Sequence, residues 1–149
     1  MKTMAFAVLA LSLSSSAALA AKEKEDIVWP AEAIKWNPGP IPGTRIAPLW
    51  GAMNRDGPFG VMVKFDAGLM HPLHHHTRTL KLVILSGTMV HTGESGTETR
   101  LGPGSYLLQA GGKKHISGCA AGAECTFFMT SDGKFDMIDD SKAASGGKK

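Results

Sequence analysis

Gly68-Leu69-Met70-His71-Pro72-Leu73-His74-His75-His76-Thr77-Arg78-Thr79-Leu80-Lys81-Leu82-Val83-Ile84-Leu85-Ser86-Gly87 is the stretch that decides how the chain is read. It packs four of the six histidines into six residues and then runs into a β-rich apolar segment, Leu80 to Leu85, closed by Ser86-Gly87. On a strand, successive side chains point to opposite faces. His74 and His76 therefore share one face and His75 takes the other. Leu80, Leu82 and Ile84 have the parity of His74 and His76, so an unbroken strand lines an interior with them. Arg78 shares that parity at the turn, where it can orient a carboxylate by bidentate hydrogen bonds.

Short segments of the same kind lie on both sides. Val61, Val63 and Phe65 alternate with Met62, Lys64 and Asp66, the period of a half-buried strand. Thr88–His91, Thr97–Leu101, Ser105–Gln109 and Thr126–Thr130 are further strands, and glycine-rich turns at Gly93–Gly96, Gly102–Gly104 and Gly111-Gly112 punctuate the series. No window after residue 40 has a helical period. Many short strands joined by such turns spell an all-β sandwich or barrel. Trp36 to Pro48 holds four prolines and two glycines and reads as extended or looped. The length of 149 residues suits one domain, and 43% apolar residues argue against a disordered chain. A formal charge of +3 without a dense Lys/Arg block gives no footprint for nucleic acid. There is no Walker A loop, no Gly-x-Gly-x-x-Gly entering a helix and no Gly-x-Ser-x-Gly elbow.

The ends read differently from the middle. Lys2, the apolar run Ala5–Leu13 and Ala18-Leu19-Ala20 follow the plan of a secretory signal peptide cleaved after Ala20. The run is too short for a bilayer span, so no membrane anchor is expected. The expected organisation is a signal peptide over 1–20, an extended segment over 21–44, a barrel over 45–138 and a disordered tail over 139–149. The location is then secreted or periplasmic. In such an oxidising compartment Cys119 and Cys125 can bridge. The five residues between them read as a hairpin turn from His115-Ile116-Ser117 to Thr126-Phe127-Phe128, and the spacing permits a disulfide, although the direction of the Cβ atoms is not written in the sequence. The spacing is wider than that of a usual zinc pair.

His115 follows Gly111-Gly112 at the start of a strand, where a tight turn can bring it beside His74 and His76. Three histidines with open positions are the way a catalytic metal is held. A histidine run can also be a solvated loop or an adventitious metal binder; the register of His115 with the glycines favours the site. His91 shares a face with Met89, opposite Val90. It is either a fourth ligand or proton-transfer group of catalytic use, or a histidine hydrogen-bonded at a strand end. His71, before Pro72, is expected on an exposed loop, and His75 packed or solvated on the outer face. Leu80, Leu82, Met89 and Tyr106, with Arg78, are the expected substrate pocket, and Trp50 and Phe128 are further aromatic candidates for its wall.

These residues resemble a cupin, a small double-stranded β-helix or jelly-roll barrel. The first cupin motif, roughly G-x5-H-x-H-x3-E-x6-G, is matched by Gly68, His74, His76, Leu80 and Gly87. The second, roughly G-x5-P-x-G-x2-H-x3-N, is matched by Gly104, Ala110, Gly112, His115 and Cys119. Three positions depart: Leu80 stands for the glutamate, Ala110 for the proline and Cys119 for the asparagine. The resemblance covers about residues 45–135. It implies one divalent metal ion on His74, His76 and His115. With the glutamate gone, zinc and iron lead among the candidates, with copper, nickel and manganese behind them. Leu49-Trp50-Gly51, Asp56-Gly57-Pro58 and Val63-Lys64-Phe65 are similar to single-domain cupins like the metal-binding cupin domain of the ChrR anti-sigma factor. Two functions follow from the resemblance. One is a metal-dependent enzyme of hydrolase, lyase or dioxygenase type acting on a small molecule. The other is a non-catalytic, sensor-type module that binds a metal or ligand. A homodimer is a further expectation of the resemblance.

Overall fold

A computed structural model describes residues 25–141, and within them the chain is nearly all strand. After a 3-10 turn at Ala31–Ala33 come β1 (Asn37–Pro38), β2 (Thr44–Trp50), β3 (Phe59–Phe65), β4 (Met70–His75), β5 (Leu80–Ser86) and β6 (Met89–Thr92). Then follow β7 (Glu98–Leu101), β8 (Tyr106–Gln109), β9 (His115–Cys119), β10 (Cys125–Ser131) and β11 (Ile138–Asp139). They form two antiparallel sheets, β1-β2-β3-β10-β5-β8 and β11-β4-β9-β6-β7. The alternation of the sequence survives in the burial: Leu80, Leu82 and Ile84 of β5 and Phe127 and Met129 of β10 face inward, and Lys81, Val83 and Leu85 do not. With Phe59, Val61, Val63 and Met89 these side chains make the core between the sheets. No helix among the described residues is long and apolar enough to cross a membrane.

The turn from β5 to β6 shows why glycine is required at one of the motif positions. Gly87 has φ +73°, and a Cβ there would lie 2.5 Å from Glu124 O and 2.8 Å from Cys125 Cα. Only glycine adopts that backbone freely and lets the turn press against the start of β10.

The proline-rich stretch is extended where it enters the sheet: it holds β1 and leads into β2, which pairs with β3 from Thr44↔Phe65 to Trp50↔Gly60. A proline interrupts a ladder only where its missing N–H is needed, and the β2–β3 register shifts next to Pro48. Two expectations are corrected. The hairpin between His115 and Phe128 does not exist. β9 pairs with β4 and β6, whereas β10 pairs with β3 and β5 in the other sheet. The disulfide Cys119–Cys125 is formed, with Cα atoms 5.7 Å apart, and staples one sheet to the other at a corner. Asp139, at the head of the expected tail, pairs with His74 in β11, and Asp140 is buried beside it. The proposed signal peptide and the rest of the tail lie outside the described residues.

Candidate metal centre

The centre is built on the five-stranded sheet. His74 on β4 and His115 on β9 are direct partners across the antiparallel ladder, so their side chains leave the same face side by side. Their rings are 4.3 Å apart. His76 follows the end of β4 with the parity of His74 and brings its ring to 5.1 Å from His74 and 5.3 Å from His115. All three are buried, and one nitrogen from each lies within 4.8 Å of the others.

The second nitrogen of each ring fixes which one points inward. His74 Nδ1 is 2.7 Å from Pro72 O, His76 Nδ1 2.5 Å from Asp136 O and His115 Nδ1 3.0 Å from Lys113 O. A carbonyl only accepts, so each Nδ1 carries the hydrogen and each Nε2 keeps its lone pair. His115 Nε2 is buried without a hydrogen-bond partner among the described residues. Three oriented, neutral Nε2 lone pairs converging on one point are the donor set a divalent ion takes, and backbone carbonyls behind the rings are the usual support of such ligands. Burial, first of all, pushes His76 and His115 down to about 4, partly opposed by their bonds to backbone carbonyls, and lowers His74 by the same cause. The imidazoles are thus held in the neutral form a metal requires.

Around the cluster the placements are mixed. Leu80, 2% exposed, occupies the glutamate position and lines an apolar cavity of about 50 Å³ with Leu82, Met89, His74 and His76. His91 packs its ring 5.2 Å from His115, on the side of a more polar opening that Lys113, Lys114 and Glu94 border. Its Nδ1 is buried without a partner among the described residues. His75 turns outward, as expected, and its Nδ1 lies 2.6 Å from Asp140 Oδ2, whose other oxygen meets Lys114 Nζ at 3.0 Å.

Five expectations fail. Arg78 is exposed and lies against Gly133, because the chain has left β4 and strand parity no longer applies in the turn. Tyr106 is 58% exposed, since β8 turns Leu107 and Gln109 inward instead. Trp50 lies half-exposed over Gly60, and Phe128 has the outward parity of β10. His71 is not on an exposed loop: it is on β4 and 5% exposed, and it lines the apolar cavity. The β4–β9 register shifts between His71 and His74. That irregularity lets residues of opposite parity face the same interior.

A two-sheet antiparallel barrel with an H-x-H strand and a third histidine on the adjoining strand is a cupin-type fold carrying a three-histidine cluster that could hold a metal ion. Solved structures agree on the fold. The chain resembles the polyketide cyclase RemF from Streptomyces resistomycificus with a TM-score of 0.65 at 18% identity, over 78% of this chain and 86% of that one. It resembles the DMSP lyase DddQ from Ruegeria pomeroyi with 0.59 at 19%, over 73% and 62%. An RmlC-like cupin from Shewanella frigidimarina gives 0.58 at 16%, over 73% and 91%. The chain belongs to the family described as a domain of unknown function, DUF4437, whose model matches residues 14–138. Among curated proteins none matches the chain.

Proposed function

We propose that this protein is an exported metal-dependent cupin that holds one divalent ion, zinc or iron before copper, nickel or manganese, on His74, His76 and His115 and acts on a small molecule. The observation that carries the reading is the convergence of three Nε2 atoms whose Nδ1 partners are backbone carbonyls. When bound, the ion supplies Lewis acidity and lowers the pKa of water or substrate oxygen at its open positions. The chain's own residues do the rest. Leu80, Leu82 and Met89 exclude bulk water from one side of the cluster. His91, lowered by burial, is a neutral base at the other side, within reach of a proton beside His115. The lyase and cyclase activities named for DddQ and RemF support an enzymatic reading of the same barrel. Export is supported by the leader pattern of residues 1–20 and by the Cys119–Cys125 bridge. The alternative is a non-catalytic sensor-type module, as in the ChrR-like cupins. It is favoured by the likeness of Leu49-Trp50-Gly51, Asp56-Gly57-Pro58 and Val63-Lys64-Phe65 to those cupins.

Elemental analysis of the untagged protein beside a His74→Ala/His115→Ala variant tests the centre. The expected result is close to one metal per parent chain and none in the variant. A parent that stays metal-free after exposure to zinc, iron, copper, nickel and manganese overturns the reading. His91→Ala then separates the two functions: turnover lost with metal content kept is the enzyme's result, and activity retained removes His91 from the mechanism.

A further inference from the structure

The metal centre leaves one buried polar group without a task. His71 Nε2 is enclosed and has no hydrogen-bond partner among the described residues. Its ring sits edge-on to Phe65 at 4.9 Å and 6.0 Å from the ring of His74, in the wall of the same apolar cavity. Its partner across the ladder, Ser117, is also buried and lines that cavity. The surrounding wall of Ile46, Val63, Leu82 and Phe127 is apolar, and the polar residues of the lining, Thr44, Gln109 and Ser117, make no hydrogen bond to His71 Nε2. Buried polar atoms in native proteins find partners, and one that the protein leaves open, facing a cavity beside a ligand cluster, is a recognition group for what enters.

We propose that His71 is the second anchor of a substrate subsite, and that the site takes a short-chain carboxylate carrying a further oxygen function: the carboxylate goes to the metal centre and the second oxygen to His71 Nε2. The inference rests on the metal reading above. Two observations narrow the class. The cavity of about 50 Å³ holds roughly three to five water-sized groups, so the enclosed part of the ligand is a short chain. Neither Asp nor Glu is among the cavity's lining residues, and three neutral imidazoles bring no charge, so a divalent ion there lacks an anionic oxygen that the ligand supplies. As a neutral imidazole His71 can give or take one hydrogen bond to a hydroxyl or keto oxygen.

The test compares butyrate with 2-, 3- and 4-hydroxybutyrate by calorimetric titration into the zinc-loaded protein, with metal content read in the same samples. At least one hydroxy acid is expected to bind about tenfold more tightly than butyrate, the worth of one buried hydrogen bond. In His71→Phe and His71→Leu that preference falls to about one with metal content unchanged; the two apolar variants guard against a folding defect in either. His71→Gln regains part of the preference. No preference in the parent, or a preference that survives in both apolar variants, overturns the proposal. A parent without metal that still discriminates through His71 overturns the metal reading and leaves the anchor standing.

Discussion

The inward faces of the two sheets are built to opposite rules. The six-stranded sheet presents Phe59, Val61, Val63, Leu82, Ile84 and Phe127, a mainly apolar face whose buried polar side chains, Thr44, Gln109 and Ser131, lie on β2, β8 and β10. The five-stranded sheet presents His71, His74, His115 and Ser117 at the same depth. The first face is the folding core, where burial of apolar area supplies the driving force. The second carries side chains that folding alone would not select. The two depend on each other, because the apolar face is what dries the imidazoles and holds their pKa values down. Chemistry sits on one wall of the barrel and stability on the other.

The sharpest way to break that division is to put a carboxylate on the apolar side. Leu80→Glu restores the cupin glutamate at a site 2% exposed. In the metal-free protein it is expected to cost about 3 kcal/mol, because the acid is buried there beside Leu82 and Met89 and beside imidazoles, those of His74 and His76, that burial keeps uncharged. Urea unfolding with EDTA measures the loss; zinc is expected to recover more stability in the variant than in the parent. An unchanged midpoint would mean that this wall tolerates charge and that the contrast between the faces is wrong.

Acid tests the opposite wall. The folded pKa values of His76 and His115 stand at about 4, below the ordinary 6.5 of an unfolded chain. Between those values the unfolded state binds protons that the folded state refuses, so unfolding free energy rises with pH across the window. Metal-free protein is therefore expected to lose stability progressively from pH 6.5 toward 4 and to change little above 7. Burial lowers His71, His74 and His91 in the same direction. Asp136 and Asp140 are held below their usual 3.8 and lose their contribution only under more acidic conditions. Chemical denaturation at pH 7.5, 6 and 5 reads the slope; a flat profile would show the rings to be solvated.

A smaller effect is expected at the seam. Cys119–Cys125 closes a short loop and ties the polar sheet to the apolar one. Reduction is expected to cost about 2 kcal/mol by releasing the unfolded chain. Thermal unfolding with and without a reductant measures it, and Cys119→Ala/Cys125→Ala repeats the result without reagent.

How much of this was legible depends on whether the cue was local. His74 and His76 follow from alternation, and His115 from the Gly111-Gly112 turn, because these cues lie within a few residues of the side chain they place. The β5 face was readable for the same reason, whereas on β10 Phe128 was taken for a pocket wall and it is Phe127 and Met129 that face inward. His71 was not readable: its inward turn comes from a register shift against β9, forty-odd residues along the chain, and the sequence marks it only by Pro72. β9 and β10 looked like a hairpin because they are neighbours in sequence with a short turn of small residues, Ala120-Ala121-Gly122-Ala123-Glu124, between them, whereas their pairing is decided by β4, β6, β3 and β5. Arg78 and Tyr106 misled in the same way, one by carrying parity past the end of a strand, the other by taking an aromatic ring for a pocket wall.

The smallest expected effect bears most directly on why the polar wall exists. His115→Leu replaces a buried ring whose Nε2 has no partner among the described residues by an apolar side chain packed against the uncharged rings of His74, His76 and His91. It forfeits the Nδ1 bond to Lys113 O, a carbonyl that precedes the strand and can turn to solvent. Removing an unsatisfied buried nitrogen is stabilising when the replacement fits. Metal-free His115→Leu is therefore expected to be about 1 kcal/mol more stable than the metal-free parent, while binding no metal. With saturating zinc the order reverses, because only the parent gains binding energy. Urea midpoints for both proteins with EDTA and with zinc give the four values needed. A variant less stable than the parent in EDTA would make His115 part of the core, and the polar face would then be structural rather than held for a ligand.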